Sequence, residues 1–170
     1  MLEGKGSMTC WKSVVGYEGL YEVSDAGEVR NAAGDVMKTG LDKDGYRKVN
    51  LCKDLTQSTH RVHRLVAIAF IQNPDGKQCV DHINGVRSDN YVANLRWATL
   101  AENSHNVGIS KANKIGFKGV SFHKRDQKYV ARIRVNNKRI HLGYFNTAEE
   151  AYAAYCAKAA ELFGVFARLV

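Results

Sequence analysis

The stretch that decides the fold of the central part of the chain is residues 79–82 (CVDH), followed by residues 95–98 (LRWA) and residues 99–102 (TLAE). The first two runs are short and strand-like, and a polar loop separates them. A threonine followed three residues later by a glutamate forms a capping box, which predicts that a helix begins directly after the second strand. The sequence therefore predicts the order strand, loop, strand, helix.

A carboxylate and an imidazole stand side by side at the end of the first predicted strand, as Asp81 and His82. Eleven residues separate His82 from Asn94, and eight residues separate Asn94 from Asn103. Carboxylate and amide oxygens suit a hard divalent cation. An imidazole can accept a proton from water at neutral pH. These groups are the ones that metal-assisted hydrolysis of a phosphodiester requires.

This spacing resembles that of the HNH endonucleases, in the variant whose third signature residue is asparagine. The resemblance implies a ββα-metal core in which Asp81 and Asn103 coordinate a metal ion, His82 is the general base and Asn94 orients the imidazole. The expected ion is Mg²⁺, with Mn²⁺ as a substitute. His105 is an alternative to Asn103 as a ligand, because other members of the family carry histidine at that position.

Other polar residues near this motif have structural interpretations. Asn84, Asp89 and Asn90 are expected to shape the loop. Residues 62–70 have apolar side chains at helical spacing, which predicts a helix before the motif. His63 lies on that helix and is expected to support the core or to contact phosphate.

The segment before this helix, residues 9–56, is rich in glycine and predicts small antiparallel sheets with tight turns at residues 25–27 and 44–45. Residues 11–31 follow the pattern WKxVxGYxxxYxVSxxGxVRN. This pattern resembles the nuclease-associated module that precedes HNH cores in phage and intron enzymes. The resemblance implies contact with DNA. The candidate residues are Arg30, Asn31, Lys38, Arg47 and Lys48.

The C-terminal segment, residues 117–167, predicts a three-stranded antiparallel sheet packed on one helix. Three runs have strand-like patterns: residues 119–122, 129–135 and 138–145. A capping box at residues 147–150 then opens an alanine-rich helix, and Gly164 is expected to end it.

Residues 119–120 (GV), 130–133 (VARI) and 142–151 (LGYFNTAEEA) resemble the APETALA-type (ethylene-response-factor) DNA-binding domain. Alternation along the middle strand places Arg132 and Arg134 on the face away from the helix. The resemblance implies that this face lies in the major groove of DNA. The expected contacts are Lys118, His123, Lys124, Arg132, Arg134, Lys138 and Arg139.

The charge of the chain is concentrated toward its C-terminus. The chain carries 25 Lys/Arg against 17 Asp/Glu for a net charge of +8, and residues 111–170 hold 12 of these basic residues but only 4 of the acidic ones. Such a concentration of positive charge indicates a polyanionic partner.

The cysteines and the apolar runs limit the cellular compartment and the class of protein that the sequence allows. No C-x-x-C pair is present, which argues against a structural zinc site and predicts free thiols in the reducing cytoplasm of a bacterial or phage-infected cell. The longest apolar run, residues 65–71, is too short to cross a bilayer. No signal-peptide pattern is present, and residues 1–8 are expected to be a flexible leader. The cysteines are Cys10, Cys52, Cys79 and Cys156.

The sequence thus predicts an α+β protein with a β module at residues 9–56, an HNH core at 57–107, a linker at 108–116 and a DNA-binding domain at 117–167. The expected activity is metal-dependent, site-preferring hydrolysis of double-stranded DNA by a protein that is monomeric on DNA, with no small-molecule substrate and no membrane partner. One active site favours a nick at each binding event. The alternatives are a sequence-specific DNA-binding regulator with an inactive nuclease core and an enzyme that cuts RNA.

Overall fold

A computed structural model of the chain describes residues 9–110 and 112–169. The leader predicted at residues 1–8 lies outside the described residues. The chain divides into two compact units, Met1–Leu100 and Ala101–Val170. Small antiparallel sheets and short helices make up both units, which confirms the predicted α+β class. Within the described residues, no helix is long and apolar enough to cross a membrane.

The first unit begins with two small antiparallel sheets. The first sheet consists of β1 (Trp11–Ser13), β2 (Tyr21–Ser24) and β3 (Val29–Asn31), in that order. The second sheet consists of β4 (Gly40–Leu41), β5 (Arg47–Lys53) and β6 (Thr56–Arg61). The two predicted turns are present, and Gly27 and Gly45 occupy positive φ angles of 82° and 87° there. Glycine adopts such angles without the steric cost that a Cβ atom would bring.

Strand β6 begins at the boundary predicted between residues 56 and 57 and pairs along β5 from Lys53–Thr56 to Lys48–Arg61. It leads directly into α1 (Val62–Phe70), the helix predicted over the same residues. A single apolar cluster joins the two sheets to α1 and to the strands that follow. Its buried members are Val14, Val23, Val29, Val49, Leu51, Val62, Leu65, Val66, Ala67, Val80 and Leu95. The first two predicted modules therefore share one core.

The predicted order of strand, loop, strand and helix is confirmed downstream of α1. Strands β7 (Cys79–His82) and β8 (Leu95–Ala98) form an antiparallel pair in which Asp81 lies opposite Arg96. The intervening loop ends in a single turn of 3₁₀ helix at Val92–Asn94. Helix α2 (Leu100–His105) follows.

The second unit contains the predicted three-stranded sheet and helix. Its sheet has the order β11–β10–β9 and consists of β9 (Val120–His123), β10 (Lys128–Val135) and β11 (Lys138–Phe145). Helix α3 (Ala148–Phe163) begins at the predicted capping box, in which Thr147 Oγ1 accepts from the Glu150 amide at 3.1 Å and Glu150 Oε2 accepts from the Thr147 amide at 3.3 Å. Gly164 ends the helix as predicted.

The helix covers one face of this sheet. Ala131 and Ile133 of β10 are buried in two clusters that also include Ala151, Tyr155 and Ala159 of α3. Arg132 and Arg134 are exposed, as the alternation of side chains along the strand predicts. The basic side chains therefore lie on the sheet face that the helix leaves open.

Candidate active site and nucleic-acid interface

The hairpin β7–β8 presents Asp81 and His82, and each of them is only 4% exposed. Asp81 is held by the residue opposite it in the hairpin, because Arg96 donates to its Oδ2 from Nε at 2.8 Å and from Nη2 at 2.7 Å. Paired donors of this kind fix the orientation of a carboxylate as well as binding it strongly. The register of the hairpin thus sets the direction of the Asp81 side chain.

The imidazole of His82 is held by Asn90, a residue expected from the sequence to shape the loop. His82 Nε2 lies 3.1 Å from Oδ1 of Asn90. An amide oxygen only accepts hydrogen bonds, so Nε2 is assigned the proton and Nδ1 the lone pair. The rings of His63 and Tyr46 flank the imidazole, with centroids 5.0 Å and 5.8 Å away.

The surroundings of His82 favour its neutral form. Burial lowers the pKa of His82, and the hydrogen bond that His82 donates to Asn90 and the negative charge of Asp81 offset part of that shift. A lowered pKa means that the imidazole is unprotonated at neutral pH. It can therefore accept a proton, which is what a general base must do.

Asn94 occupies a different position from the one predicted for it. Its Oδ1 accepts from the Asn84 amide at 3.0 Å, and its Nδ2 donates to the Asp89 carbonyl at 2.8 Å. Its own carbonyl accepts from the Ile83 amide at 2.8 Å. These bonds tie the two ends of the loop together, and the side chain that is hydrogen bonded to the imidazole is Asn90, not Asn94. Any effect of Asn94 on His82 passes through the loop.

The position of Asn90 carried no periodic signal in the sequence. Loop residues lack the repeat that assigns faces in helices and strands, and the pair Asp89-Asn90 suggested only a turn. The pairing of Asp81 with Arg96 was accessible from sequence, because the predicted strands place these residues opposite each other.

The predicted metal ligands offer the donor chemistry that a hard divalent cation prefers. Asp81 contributes a carboxylate and Asn103, on α2, an amide oxygen. In the described part of the chain, no three His, Cys, Asp or Glu residues cluster as a metal site would require. The ligand role of Asn103 stays a prediction.

His105, the alternative ligand, has a packing role within the second unit. Its ring stacks on Phe163 with centroids 3.7 Å apart. Burial lowers the pKa of His105, and the nearby Lys118 lowers it further.

The open sheet face of the second unit carries unneutralised positive charge. Arg134 lies opposite Arg139 across the β10–β11 pair, and Arg132 lies opposite His141. Like charges directly opposite each other are unfavourable unless a counter-charge is present. Throughout residues 9–110 and 112–169, none of Arg132, Arg134, Lys138 and Arg139 forms an ion pair with an acidic side chain. This face is suited to a polyanion. Lys124 directly follows β9 and is also exposed.

Lys118 and Arg30, predicted to contact DNA, are engaged within the protein. Lys118 Nζ donates to the carbonyl of His105 at 2.9 Å, and burial lowers the pKa of this lysine. Arg30 donates from Nε to Glu22 at 2.6 Å and lies over the Trp11 ring at 4.2 Å. Both residues therefore have structural contacts, and their contact with DNA stays a prediction. Lys48, on β5, is exposed and stays a candidate for DNA contact.

Three family models match the chain in succession. Residues 10–52 match the NUMOD4 motif, residues 60–105 match HNH endonuclease and residues 115–164 match the AP2 domain.

Similar proteins come from viruses. DNA endonuclease I-HmuI of Bacillus phage SP01 is 40% identical over 112 residues, which are 62% of this chain and 64% of the relative. An uncharacterized HNH endonuclease of Acanthamoeba polyphaga mimivirus, L245, is 31% identical over 138 residues, which are 80% of this chain and 41% of the relative. The chain thus spans less than two thirds of the length of either relative.

A solved structure that describes DNA binding and cleavage by the HNH homing endonuclease I-HmuI is also similar. It has 36% sequence identity to this chain and a TM-score of 0.54, and the match covers 78% of this chain and 76% of that one.

Proposed function

This chain belongs to the family of HNH endonucleases, and from that membership we propose that it is a metal-dependent endonuclease of the phage or homing type that hydrolyses phosphodiester bonds in double-stranded DNA. The observation that carries the proposal is the pairing of Asp81, fixed by Arg96, with a neutral His82 on one hairpin. A carboxylate beside an unprotonated imidazole is what hydrolysis with a divalent cation needs.

In the proposed reaction, Nδ1 of His82 accepts a proton from a water molecule, whose oxygen attacks the phosphorus. The bond from phosphorus to the 3′ oxygen then breaks, the phosphate stays on the 5′ side of the cut, and the departing 3′ oxygen takes a proton from solvent. Asp81 and Asn103 would hold a divalent cation, with Mg²⁺ as the expected ion and Mn²⁺ as a substitute. The charge of that cation would stabilise the phosphate and the departing oxygen. Asn94 holds the loop closed around the imidazole.

The partner in this proposal is duplex DNA. The exposed arginines of β10 and the basic residues that follow them supply the positive face that phosphates require. The related endonuclease I-HmuI binds and cleaves DNA, according to the solved structure of that protein. A single active site in a monomer would nick one strand in each binding event. The compartment that we propose is the cytoplasm of a bacterial or phage-infected cell.

The test is to incubate the purified chain with supercoiled plasmids in Mg²⁺ and, separately, in EDTA. We expect open circles in Mg²⁺ alone, and a loss of rate of about 100-fold or more in His82→Ala, since proton transfer by a positioned base contributes about that much. His60→Ala is the matched control, because His60 lies on β6 of the same unit and is hydrogen bonded to Tyr17.

Three other outcomes would change the proposal. Linear DNA as the first product would indicate paired cuts rather than nicks. Binding in a gel-shift assay without metal-dependent cleavage of any plasmid would favour the DNA-binding regulator. Cleavage of RNA in preference to duplex DNA in a competition assay would favour the third alternative.

A further inference from the structure

We infer that Asn90 is the positioning residue for His82 and that the turn at Gly27, in the N-terminal module, holds Asn90 in place. The inference rests on the proposed function, because positioning matters only if His82 is the base. It gives the N-terminal module a part in the catalytic unit besides the contact with DNA that family resemblance implies.

The side-chain amide of Asn90 is oriented so that its oxygen faces the imidazole of His82. Its side chain is 97% buried, since the residue is 3% exposed, and its Oδ1 accepts from Nε2 of His82. Among the described residues, its Nδ2 has no hydrogen-bond partner. A buried amide without a partner costs stability. The hydrogen bond to the imidazole is therefore the polar interaction that this side chain makes, and it fixes which imidazole nitrogen carries the proton.

A turn of the N-terminal module packs against Asn90. A Cβ atom at Gly27 would lie 2.7 Å from Asn90 Cβ and 3.1 Å from the Asn90 carbonyl oxygen. Only a residue without a side chain permits this approach, and the φ angle of +82° favours glycine as well. The backbone of the turn thus touches the residue that touches the imidazole.

Hydrogen bonds within this turn, and one between the turn and the loop, hold it in place. Within the turn, the Gly27 amide donates to the Ser24 carbonyl at 3.1 Å, and the Glu28 amide donates to Ser24 Oγ at 2.9 Å. Across to the loop, the Val92 amide donates to the Asp25 carbonyl at 2.8 Å. The turn therefore fixes the backbone on the C-terminal side of Asn90 directly.

A second contact holds the loop on the other side of Asn90. Arg47 Nε donates to the Ser88 carbonyl at 3.2 Å, and its Nη1 donates to Thr39 at 3.2 Å. Arg47 belongs to β5 of the second small sheet. Both sheets of the N-terminal module therefore position the two flanks of Asn90.

The first experiment compares Asn90→Leu with Asn90→Asp. Leucine has a similar size but accepts no hydrogen bond, whereas aspartate keeps an oxygen at the same place. Nitrogen-15 NMR of the His82 side chain, in protein free of metal and DNA, reports which imidazole nitrogen carries the proton. We expect the Nε2–H form in the wild type and in Asn90→Asp, and a mixture of both forms in Asn90→Leu.

The same variants are then assayed on saturating plasmid in Mg²⁺. We expect kcat of Asn90→Leu to fall about 10- to 100-fold with KM little changed, which is the usual loss when a partner that orients a site residue is removed. Asn73→Leu is the control, because Asn73 closes a turn through the Lys77 backbone in the same unit. It should lower stability and leave kcat unchanged.

The second experiment tests the contact between this turn and Asn90 and leaves Asn90 itself unchanged. Gly27→Ala and Gly19→Ala introduce the same methyl group at similar positive φ angles, +82° and +77°, but nothing lies within 4 Å of the Cβ at Gly19. We expect Gly27→Ala to mix the two imidazole forms and to lower kcat as Asn90→Leu does. Gly19→Ala should change neither.

The Nε2–H form retained in both Asn90→Leu and Gly27→Ala would overturn the inference, whatever their stability. An unchanged kcat in a folded Gly27→Ala variant would remove the N-terminal module from the catalytic unit. If the imidazole forms change as expected but the wild type cleaves no DNA, then the positioning is real and the proposed function has failed. If Asn90→Leu does not fold, Gly27→Ala still decides the question.

Discussion

His63 shares the buried centre of the first unit with the proposed base. Its ring centroid lies 4.9 Å from that of Tyr46 and 5.0 Å from that of His82. Burial, together with the positive charges of a protonated His82 and of two nearby arginines, lowers the pKa of His63 to about 3. His63 is therefore neutral in the folded protein over the whole physiological range.

The stability of the first unit should depend on pH through His63. Its folded pKa of about 3 lies below the unfolded value of 6.5, so the unfolded chain binds a proton first as the pH falls. The stabilising contribution is complete above pH 6.5 and is lost progressively toward pH 3. We expect His63 to account for about 2 kcal/mol of the free energy of unfolding that the wild type loses between pH 8 and pH 5. The His63→Phe variant should therefore lose about 2 kcal/mol less than the wild type over the same interval.

Urea unfolding followed by tryptophan fluorescence measures this effect, because Trp11 and Trp97 both lie in the first unit. His60→Phe controls for the loss of a histidine elsewhere in the same unit. The same pH dependence in the wild type and in His63→Phe would contradict the prediction.

Elements with a clear repeat were predictable from the sequence, and elements without one were not. Helices α1 and α3 and strands β10 and β11 follow apolar periodicity or a capping box, and their predicted bounds agree with the structure to within a residue or two. Strands β1 and β3 have three residues each, too few for alternation to show. Strand β6 (TQSTHR) has no apolar residue, and pairing with β5 alone defines it.

The candidate site residues divide in the same way. The place of Asp81 and His82 at the end of a strand was predictable, and their roles in catalysis and metal binding stay predictions. The roles of Asn90 and Asn94 were not predictable, because the path of the loop, rather than any repeat, decides which asparagine meets the imidazole.

The open face of β10 should contact DNA through its two arginines. If Arg132 or Arg134 contacts a base edge, its replacement by alanine should weaken binding to the preferred sequence by about 1–3 kcal/mol and relax the preference at one position. Gel-shift assays on a set of variant duplexes measure this. Lys158→Ala is the control, because Lys158 lies on α3 and is paired with Glu161. An equal loss on all sequences would assign the arginine to phosphate, and no loss would remove this face from the interface.

Binding of the full chain to duplex DNA should depend steeply on salt, because the excess of basic residues lies in residues 111–170. If about six phosphates are neutralised, the logarithm of the affinity should fall against the logarithm of salt concentration with a slope of about −5. Removing one phosphate contact, as in Arg139→Ala, should make the slope less steep by about 1. A slope near zero would exclude an interface built on phosphate contacts.

One apolar cluster joins the two small sheets to α1 and to the β7–β8 hairpin. This shared core decides which residues must stay together when the protein is recombined with another. A chimera that joins foreign sequence at residue 56 would divide a sheet between two parents and expose Val49 and Leu51 to an unmatched partner. A chimera that keeps the β7–β8 hairpin should therefore retain residues 9–100 together, because the cluster lies within them and the first compact unit ends at Leu100. The cassette for recombination is thus larger than the motif that names the family.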